Sequence, residues 1–211
     1  MFDKKALRRL ILPLVFEQLL TVMIGMVDVF MVSHLGETAV AGVSNVDSIN
    51  VLINSMFAAL ATGGAIVCSQ YIGRNQPEQS QSSAKQLIIT VAVISAVISV
   101  LGFIFNAQLL SLIFGDVEEA LMTYSKTYFY MSVLSYPSIA LYNCGAALFR
   151  AMGNSRVSLF CALVMNIVNI ALNAFFIYGL NLGVFGAGLA TLISRTTVAV
   201  LILMLLRRKE L

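Results

Sequence analysis

The chain has 211 residues, of which 59% are hydrophobic and 11% are charged, and its formal net charge is +3. Soluble domains carry about 25% charged residues, so this composition excludes a soluble globular protein and indicates an integral membrane protein. The small net charge gives no reason to expect a nucleic acid as a partner. A single histidine excludes a metal site built from several histidines. No cofactor is expected.

The predicted elements are all transmembrane helices, each of which needs roughly 20 predominantly apolar residues. Charged and turn-forming residues divide the chain into six such segments, at 10–33, 46–70, 86–106, 124–148, 158–179 and 184–206. The polar stretch 73–86 is expected to be a loop, with Pro77 in the first turn of a short helix. The sequence therefore predicts an all-α integral membrane protein, a bundle of six transmembrane helices in one unit over 1–211.

The first segment contains two acids and a proline. Asp28 lies in TVMIGMVDVFMVSHLG (21–36), too far inside the helix to cap its end. A carboxylate in an apolar helix must be neutralised, paired or hydrated, so Asp28 is predicted to have a function. Glu17 lies about three turns earlier on the same face. Pro13 interrupts the helix, which frees a backbone carbonyl and allows a bend.

The second segment begins near another acid, Asp47. Ser44 and Asp47 match the Ser-x-x-acid capping box, and an acid in a first helical turn also suits the helix dipole. The alternative is that Asp47 takes part in ion binding. Both interpretations are compatible with the sequence.

The fifth and sixth segments supply polar residues at the depth of Asp28. Asn169 and Asn173 share one face of the fifth segment, and Thr191 reaches a similar level in the sixth. One carboxylate with amide and hydroxyl oxygens is suitable for Na⁺, or for a carboxyl whose protonation is coupled to movement. Arg195, near the middle of the sixth segment, is expected to pair, and a Glu17–Arg195 ion pair is the structural alternative.

Lysines and arginines indicate the orientation. The side that carries both termini receives Lys4, Lys5, Arg8, Arg9, Arg74, Lys85, Arg150, Arg156, Arg207, Arg208 and Lys209. The opposite side receives Lys126 with the acids Glu37, Asp116, Glu118 and Glu119. This asymmetry predicts a multi-pass plasma-membrane protein with both termini in the cytoplasm.

Four stretches together resemble the N-terminal half of a multidrug and toxic compound extrusion (MATE) transporter. They are VDVFMVSHLGETAVAGV (27–43), ATGGAIVCSQYIGRN (61–75), ALFRAMGNSR (147–156) and NIALNAFFIYGLNLGVFGAGLAT (169–191). They occur in the family's order and span nearly the whole chain.

The resemblance implies one lobe of a two-lobe, twelve-helix antiporter that works by alternating access. In this family, Na⁺ or H⁺ entering the N-terminal lobe drives the export of organic cations and amphipathic drugs. Residues 1–211 would be that lobe, and its partners would be the drug, the lipid bilayer, and a C-terminal lobe or a second copy. A truncated frame or fragment is expected, because nothing in the chain replaces the second lobe's acidic residues.

The resemblance also assigns roles to particular residues. The family's cation-coupling positions fall on Asp28, Asn169, Asn173 and Thr191, with Asn143 as the nearest candidate for a helix-four asparagine, and the bending proline falls on Pro13. Some members carry an aspartate where this chain has Asn173, which leaves the choice between Na⁺ and H⁺ open.

Three other functions are alternatives to the antiporter. A lipid-linked saccharide flippase of the same superfamily should line its cavity with several cations, whereas Arg195 is the only deep one. An intramembrane enzyme would need an aspartyl dyad from Asp28 and Asp47 on different helices, so no catalytic residue is predicted. A non-transporting membrane fragment is the third alternative.

Overall fold

The computed structural model describes residues 4–115 and 117–208, with side chains described from Ile11 onward. Within these residues the chain is helical throughout, apart from short connections. The helices are α1 (Lys4–Val32), α2 (Glu37–Gly73), α3 (Pro77–Ile104), α4 (Asn106–Phe114), α5 (Glu119–Ala151), α6 (Ser155–Asn173) and α7 (Gly183–Arg208). A 3₁₀ turn (Ser33–Leu35) links α1 to α2, and a π-helical turn (Ala174–Gly179) extends α6.

Five helical segments of the described chain are long and apolar enough to cross a membrane. They are Ile11–Leu35, Glu37–Gly73, Pro77–Ile104, Ser155–Gly179 and Gly183–Arg208. These match the first, second, third, fifth and sixth predicted spans, so an all-helical, multi-pass membrane fold is confirmed. The predicted count of six is met in part, because the fourth span coincides with α5, which is not among these five.

The central position of α5 explains its more polar composition. It packs against α2, α3, α6 and α7, so much of its surface faces protein rather than lipid. Ser125, Tyr128, Ser132 and Ser135 are buried on it. A helix enclosed by other helices can keep polar side chains if these find hydrogen-bond partners. Hydropathy alone then underestimates the tendency of such a helix to span the membrane.

The connection between α2 and α3 is shorter than predicted. The stretch 73–86 is not a loop, because α3 begins at Pro77 and continues as one helix to Ile104. Proline suits the first turn of a helix, where its missing N–H is not needed, so only residues 74–76 connect α2 to α3.

Asp47 does not cap α2. The helix begins at Glu37, which is the acid in its first turn, and Asp47 therefore lies well inside the helix. Its Oδ1 accepts a hydrogen bond from Asn50 Nδ2 at 3.2 Å instead. The capping-box pattern was misleading because the apolar periodicity that marks the helix extends upstream of Ser44.

A glycine permits close approach between α2 and α5. A Cβ at Gly42 would lie 2.9 Å from Tyr124 Cβ, and 3.2 Å from both Leu121 O and Ser125 N. Ser125 Oγ donates to the Gly42 carbonyl at 3.2 Å across the same interface. Small residues permit this approach, and packing with interhelical hydrogen bonds is what joins helices in a membrane.

We expect Gly42→Ala to lower the melting temperature of the purified chain in detergent. The added methyl meets backbone atoms that cannot rotate away, which should destabilise by about 1–3 kcal/mol. Gly63→Ala is the matched control on the same helix, since a Cβ there has nothing within 4 Å. It should be neutral or slightly stabilising. Equal melting temperatures for the two variants would contradict the packing described.

Candidate functional site

Asp28 lies at the centre of a polar cluster within the bundle. Its side chain is 2% exposed. Oδ1 accepts a hydrogen bond from Asn173 Nδ2 at 2.5 Å, and Oδ2 accepts from Tyr128 Oη at 3.3 Å. Thr191 Oγ1 also lies 3.3 Å from Oδ2. Donors from α5, α6 and α7 therefore replace the water that this carboxylate of α1 loses on burial.

Asn169 extends the cluster by one turn of α6. Its Oδ1 accepts from Asn173 Nδ2 at 3.1 Å, and its Nδ2 donates to Thr191 Oγ1 at 3.4 Å. Asn173 Oδ1 is buried with no hydrogen-bond partner among the described residues. Leaving a buried acceptor unpaired costs about 1–3 kcal/mol, so this oxygen is a strong candidate ligand atom.

Two of the polar groups can present oxygen to a cation without moving their backbones. Thr191 Oγ1 lies 3.1 Å from the Ala187 carbonyl, so its proton can turn from Asp28 to that carbonyl. The Asn173 amide already has a free acceptor beside the carboxylate. The cluster can therefore change from donating to Asp28 to sharing a cation with it.

Tyr128 is the member of this cluster that the sequence interpretation missed. It is buried on α5 and its hydroxyl reaches Asp28 across the bundle. A signal was present, because Ser125, Tyr128 and Ser132 follow the i, i+3, i+7 spacing of one helix face. A tyrosine among the other aromatic residues of this helix is not distinctive in sequence, and only the tertiary packing places its hydroxyl next to Asp28.

A cavity of about 110 Å³ opens beside the cluster, and Asp28, Asp47, Asn54 and Arg195 are among its lining residues. Asp47 Oδ2 is buried there with no partner among the described residues. Arg195 Nη1 donates to Ser135 Oγ at 2.7 Å. Asp28 and Asp47 therefore line the same cavity, and no hydrogen bond joins them in the described structure.

Asn143 lies on α5 and pairs with α2. Its Nδ2 donates to Asn54 Oδ1 at 2.8 Å. Asn54 lines the cavity, whereas Asn143 is not among the described lining residues and makes no hydrogen bond to Asp28. The structure thus brings Asp28, Asn169, Asn173 and Thr191 together and leaves Asn143 outside their cluster.

The predicted Glu17–Arg195 ion pair is wrong. Glu17 Oε1 lies 3.2 Å from Arg150 Nη1, at the basic end of α5. Ser158 Oγ donates to Glu17 Oε2 at 2.8 Å, and Tyr142 Oη donates to Oε1 at 3.3 Å. Glu17 lies near one end of the bundle and Arg195 lines the inner cavity, so the difference in depth separates them.

Comparisons with known proteins agree with this architecture. The MatE family model matches residues 13–175. The uncharacterised transporter YisQ of Bacillus subtilis is 31% identical over 188 residues, which is 87% of this chain and 41% of that protein. The multidrug export protein MepA of Staphylococcus haemolyticus is 25% identical over 207 residues, 98% of this chain and 45% of that protein. The chain thus spans less than half the length of these relatives.

A solved structure shows the same fold. The MATE transporter VcmN of Vibrio cholerae, in its bent form, superimposes with a TM-score of 0.90 over 98% of this chain and 47% of that chain, at 21% identity. At that identity the likeness establishes the arrangement of helices. The sequence resemblance to the family is confirmed by the family model and by the relatives.

A double-mutant cycle should find Glu17 coupled to Arg150 and not to Arg195. We expect a coupling energy of about 0.5–3 kcal/mol between Glu17→Gln and Arg150→Gln in thermal unfolding of the purified chain, because the two side chains share one hydrogen-bonded ion pair. The cycle with Arg195→Gln is the control and should be additive. A larger coupling energy between Glu17 and Arg195 would contradict this assignment and support the ion pair expected from the sequence.

Proposed function

The chain belongs to the MatE family, and we propose that it forms the cation-coupling lobe of an antiporter that exports organic cations and amphipathic drugs in exchange for Na⁺ or H⁺. The observation that carries the proposal is the single carboxylate of Asp28, which is buried and accepts hydrogen bonds from side chains of three other helices. The export activity of the relative MepA supports the proposed substrate class. The substrate would lie between this lobe and a second lobe or a second copy, in a multi-pass plasma-membrane protein.

The charge and the donor set favour a monovalent cation. Asp28 supplies one negative charge, and Asn169 Oδ1, Asn173 Oδ1 and the hydroxyls of Tyr128 and Thr191 supply neutral oxygens around it. Hard cations take oxygen ligands, and a buried site is most stable when its charges balance. No group of three His, Cys, Asp or Glu side chains occurs among the described residues, which further separates this cluster from a divalent transition-metal site.

A proton could occupy the same position. A protonated Asp28 carboxyl would be neutral and, with the Asn173 amide turned over, could donate to Asn173 Oδ1, the acceptor that otherwise has no partner in the described structure. Either occupant removes the net negative charge of the buried carboxylate. Both versions of the proposal therefore make the same group responsible for coupling.

Coupling to transport would act through the position of α1. The donors on α5, α6 and α7 hold α1 by Asp28, and a bound cation changes the hydrogen bonds that they make to it. Pro13 lies inside α1 and leaves one backbone carbonyl without its helical donor, which makes a bend there less costly. A ligand that binds one α1 position more tightly shifts the population toward it.

The cavity argues against the flippase alternative. Arg195 is the only cation among its described lining residues, and two carboxylates accompany it. A pyrophosphate would meet a net negative wall there.

Asp28→Asn is expected to abolish the response of the purified chain to its coupling ion. A ligand that binds only the folded state raises stability by RT ln(1 + [L]/Kd), about 2.7 kcal/mol at 100 times Kd. The melting temperature should be followed in a Na⁺ titration at constant ionic strength, with choline replacing Na⁺, and in a pH titration without Na⁺. The wild-type chain should respond to at least one titration through Asp28.

Glu37→Gln is the matched control, because it also converts a carboxylate to an amide but at an exposed position. It should keep the wild-type response. Asp28→Asn responding to both titrations as Glu37→Gln does would refute the coupling role of Asp28. Ethidium efflux from cells that express the chain, with and without Asp28→Asn, tests separately whether residues 1–211 transport anything alone.

Tyr128→Phe should weaken cation binding without abolishing it. The substitution removes the hydroxyl beside Asp28 Oδ2, and a lost hydrogen bond or ligand of this kind costs about 1–2 kcal/mol, roughly five- to thirtyfold in affinity. Tyr136→Phe is the control on the same helix, since its hydroxyl donates to Asn50 Oδ1 at 3.1 Å rather than to Asp28. Equal affinities in the two variants would remove Tyr128 from the site.

A further inference from the structure

A groove separates α3 from α7 at the basic end of the bundle. Both helices pack along α5, but they hardly touch each other. The space left between them is about 480 Å³, and every described residue that lines it comes from α3 or α7. The groove is distinct from the Asp28 cluster and shares no residue with the cavity beside it.

Each wall of the groove carries one cationic side chain. Lys85 on α3 and Arg207 on α7 face it from opposite sides, and Gln81 adds an amide on the α3 wall. Both cations are exposed, and neither forms a salt bridge with a described residue. No carboxylate is present among the described lining residues, so the groove carries two positive charges without internal compensation.

The remainder of the groove is apolar. Ala84 and Ile88 follow on the α3 wall, and Leu203 and Leu206 follow on the α7 wall. Ile88 lies three residues from Lys85, and Leu203 lies four residues from Arg207, so each of these pairs shares one helix face. The groove therefore combines a doubly cationic head region with an apolar channel between two membrane helices.

We propose that this groove binds one anionic phospholipid, with the phosphate between Lys85 and Arg207 and an acyl chain between α3 and α7. A soluble anion would leave the apolar walls uncovered, and a neutral lipid would leave the two charges unpaired. Arg74 and Arg156 lie at the same end of the bundle, so the leaflet there faces an excess of positive charge. Basic pockets between transmembrane helices recognise anionic headgroups by this chemistry.

Native mass spectrometry of the purified chain tests headgroup selection. The chain is released from micelles that contain equal amounts of dioleoyl phosphatidylglycerol and dioleoyl phosphatidylcholine. The wild-type chain should retain one phosphatidylglycerol in preference to phosphatidylcholine. The double variant Lys85→Gln/Arg207→Gln should lose the preference, by about fivefold for each cation removed.

Arg74→Gln/Arg156→Gln is the matched control, because it removes the same charge from exposed positions at the same end but outside the groove. It should keep the wild-type preference. An equal loss in both double variants would mean diffuse attraction to the basic end and would overturn the proposal. So would a wild-type chain with no phosphatidylglycerol preference, or one that forms a dimer without retained lipid.

Fluorescence quenching tests the position of the acyl chain. The chain contains no tryptophan, so a single one is a unique reporter. Leu203→Trp places it in the groove, and Met204→Trp, at a position 60% exposed on the same helix, places it outside. With brominated acyl chains, phosphatidylglycerol should quench Leu203→Trp more than phosphatidylcholine does, and both lipids should quench Met204→Trp equally.

Absence of quenching at Leu203→Trp by either lipid would show that protein covers the groove, and would overturn the proposal. Equal quenching of Leu203→Trp by both lipids would also overturn it, because the groove would then contact bulk lipid without selecting a headgroup.

Discussion

The buried carboxylate of Asp28 is the constraint on which the arrangement of four helices depends. A charge removed from water needs donors, and α1 cannot provide them from its own backbone. The donors come from Tyr128 on α5, Asn173 on α6 and Thr191 on α7, which fixes the relative height of these helices. The same contacts make the site responsive, because anything that neutralises the charge changes what holds α1 to its neighbours.

A second acid anchors the middle of α1. Glu17 accepts from Arg150 and Tyr142 on α5 and from Ser158 on α6. The helix is therefore attached at Asp28 and at Glu17, and Pro13 lies less than two turns before Glu17. If the proposed function is correct, a cation at Asp28 would alter the hydrogen bonds to Asp28, whereas those to Glu17 would persist.

The polar helix α5 makes both attachments possible. It is in contact with four of the other long helices of the described chain. Its serines and tyrosines make hydrogen bonds to α2, α6 and α7, and Ser99 of α3 donates to its Val133 carbonyl. In a membrane the apolar surface gives little preference for protein over lipid, so such contacts and close packing hold the bundle together. Where two peripheral helices meet only through α5, as α3 and α7 do, the space between them is open to another amphipathic molecule.

The sequence by itself determined the membrane class, five of the helical spans and the cluster of Asp28, Asn169, Asn173 and Thr191. These follow from hydropathy, from helical periodicity and from the high cost of an unpaired polar group in lipid, all of which act along one helix at a time. Tertiary structure alone decided the partner of Glu17 and the participation of Tyr128. Each of these depends on which faces of different helices meet and at what height, and that relation is set by packing across the bundle.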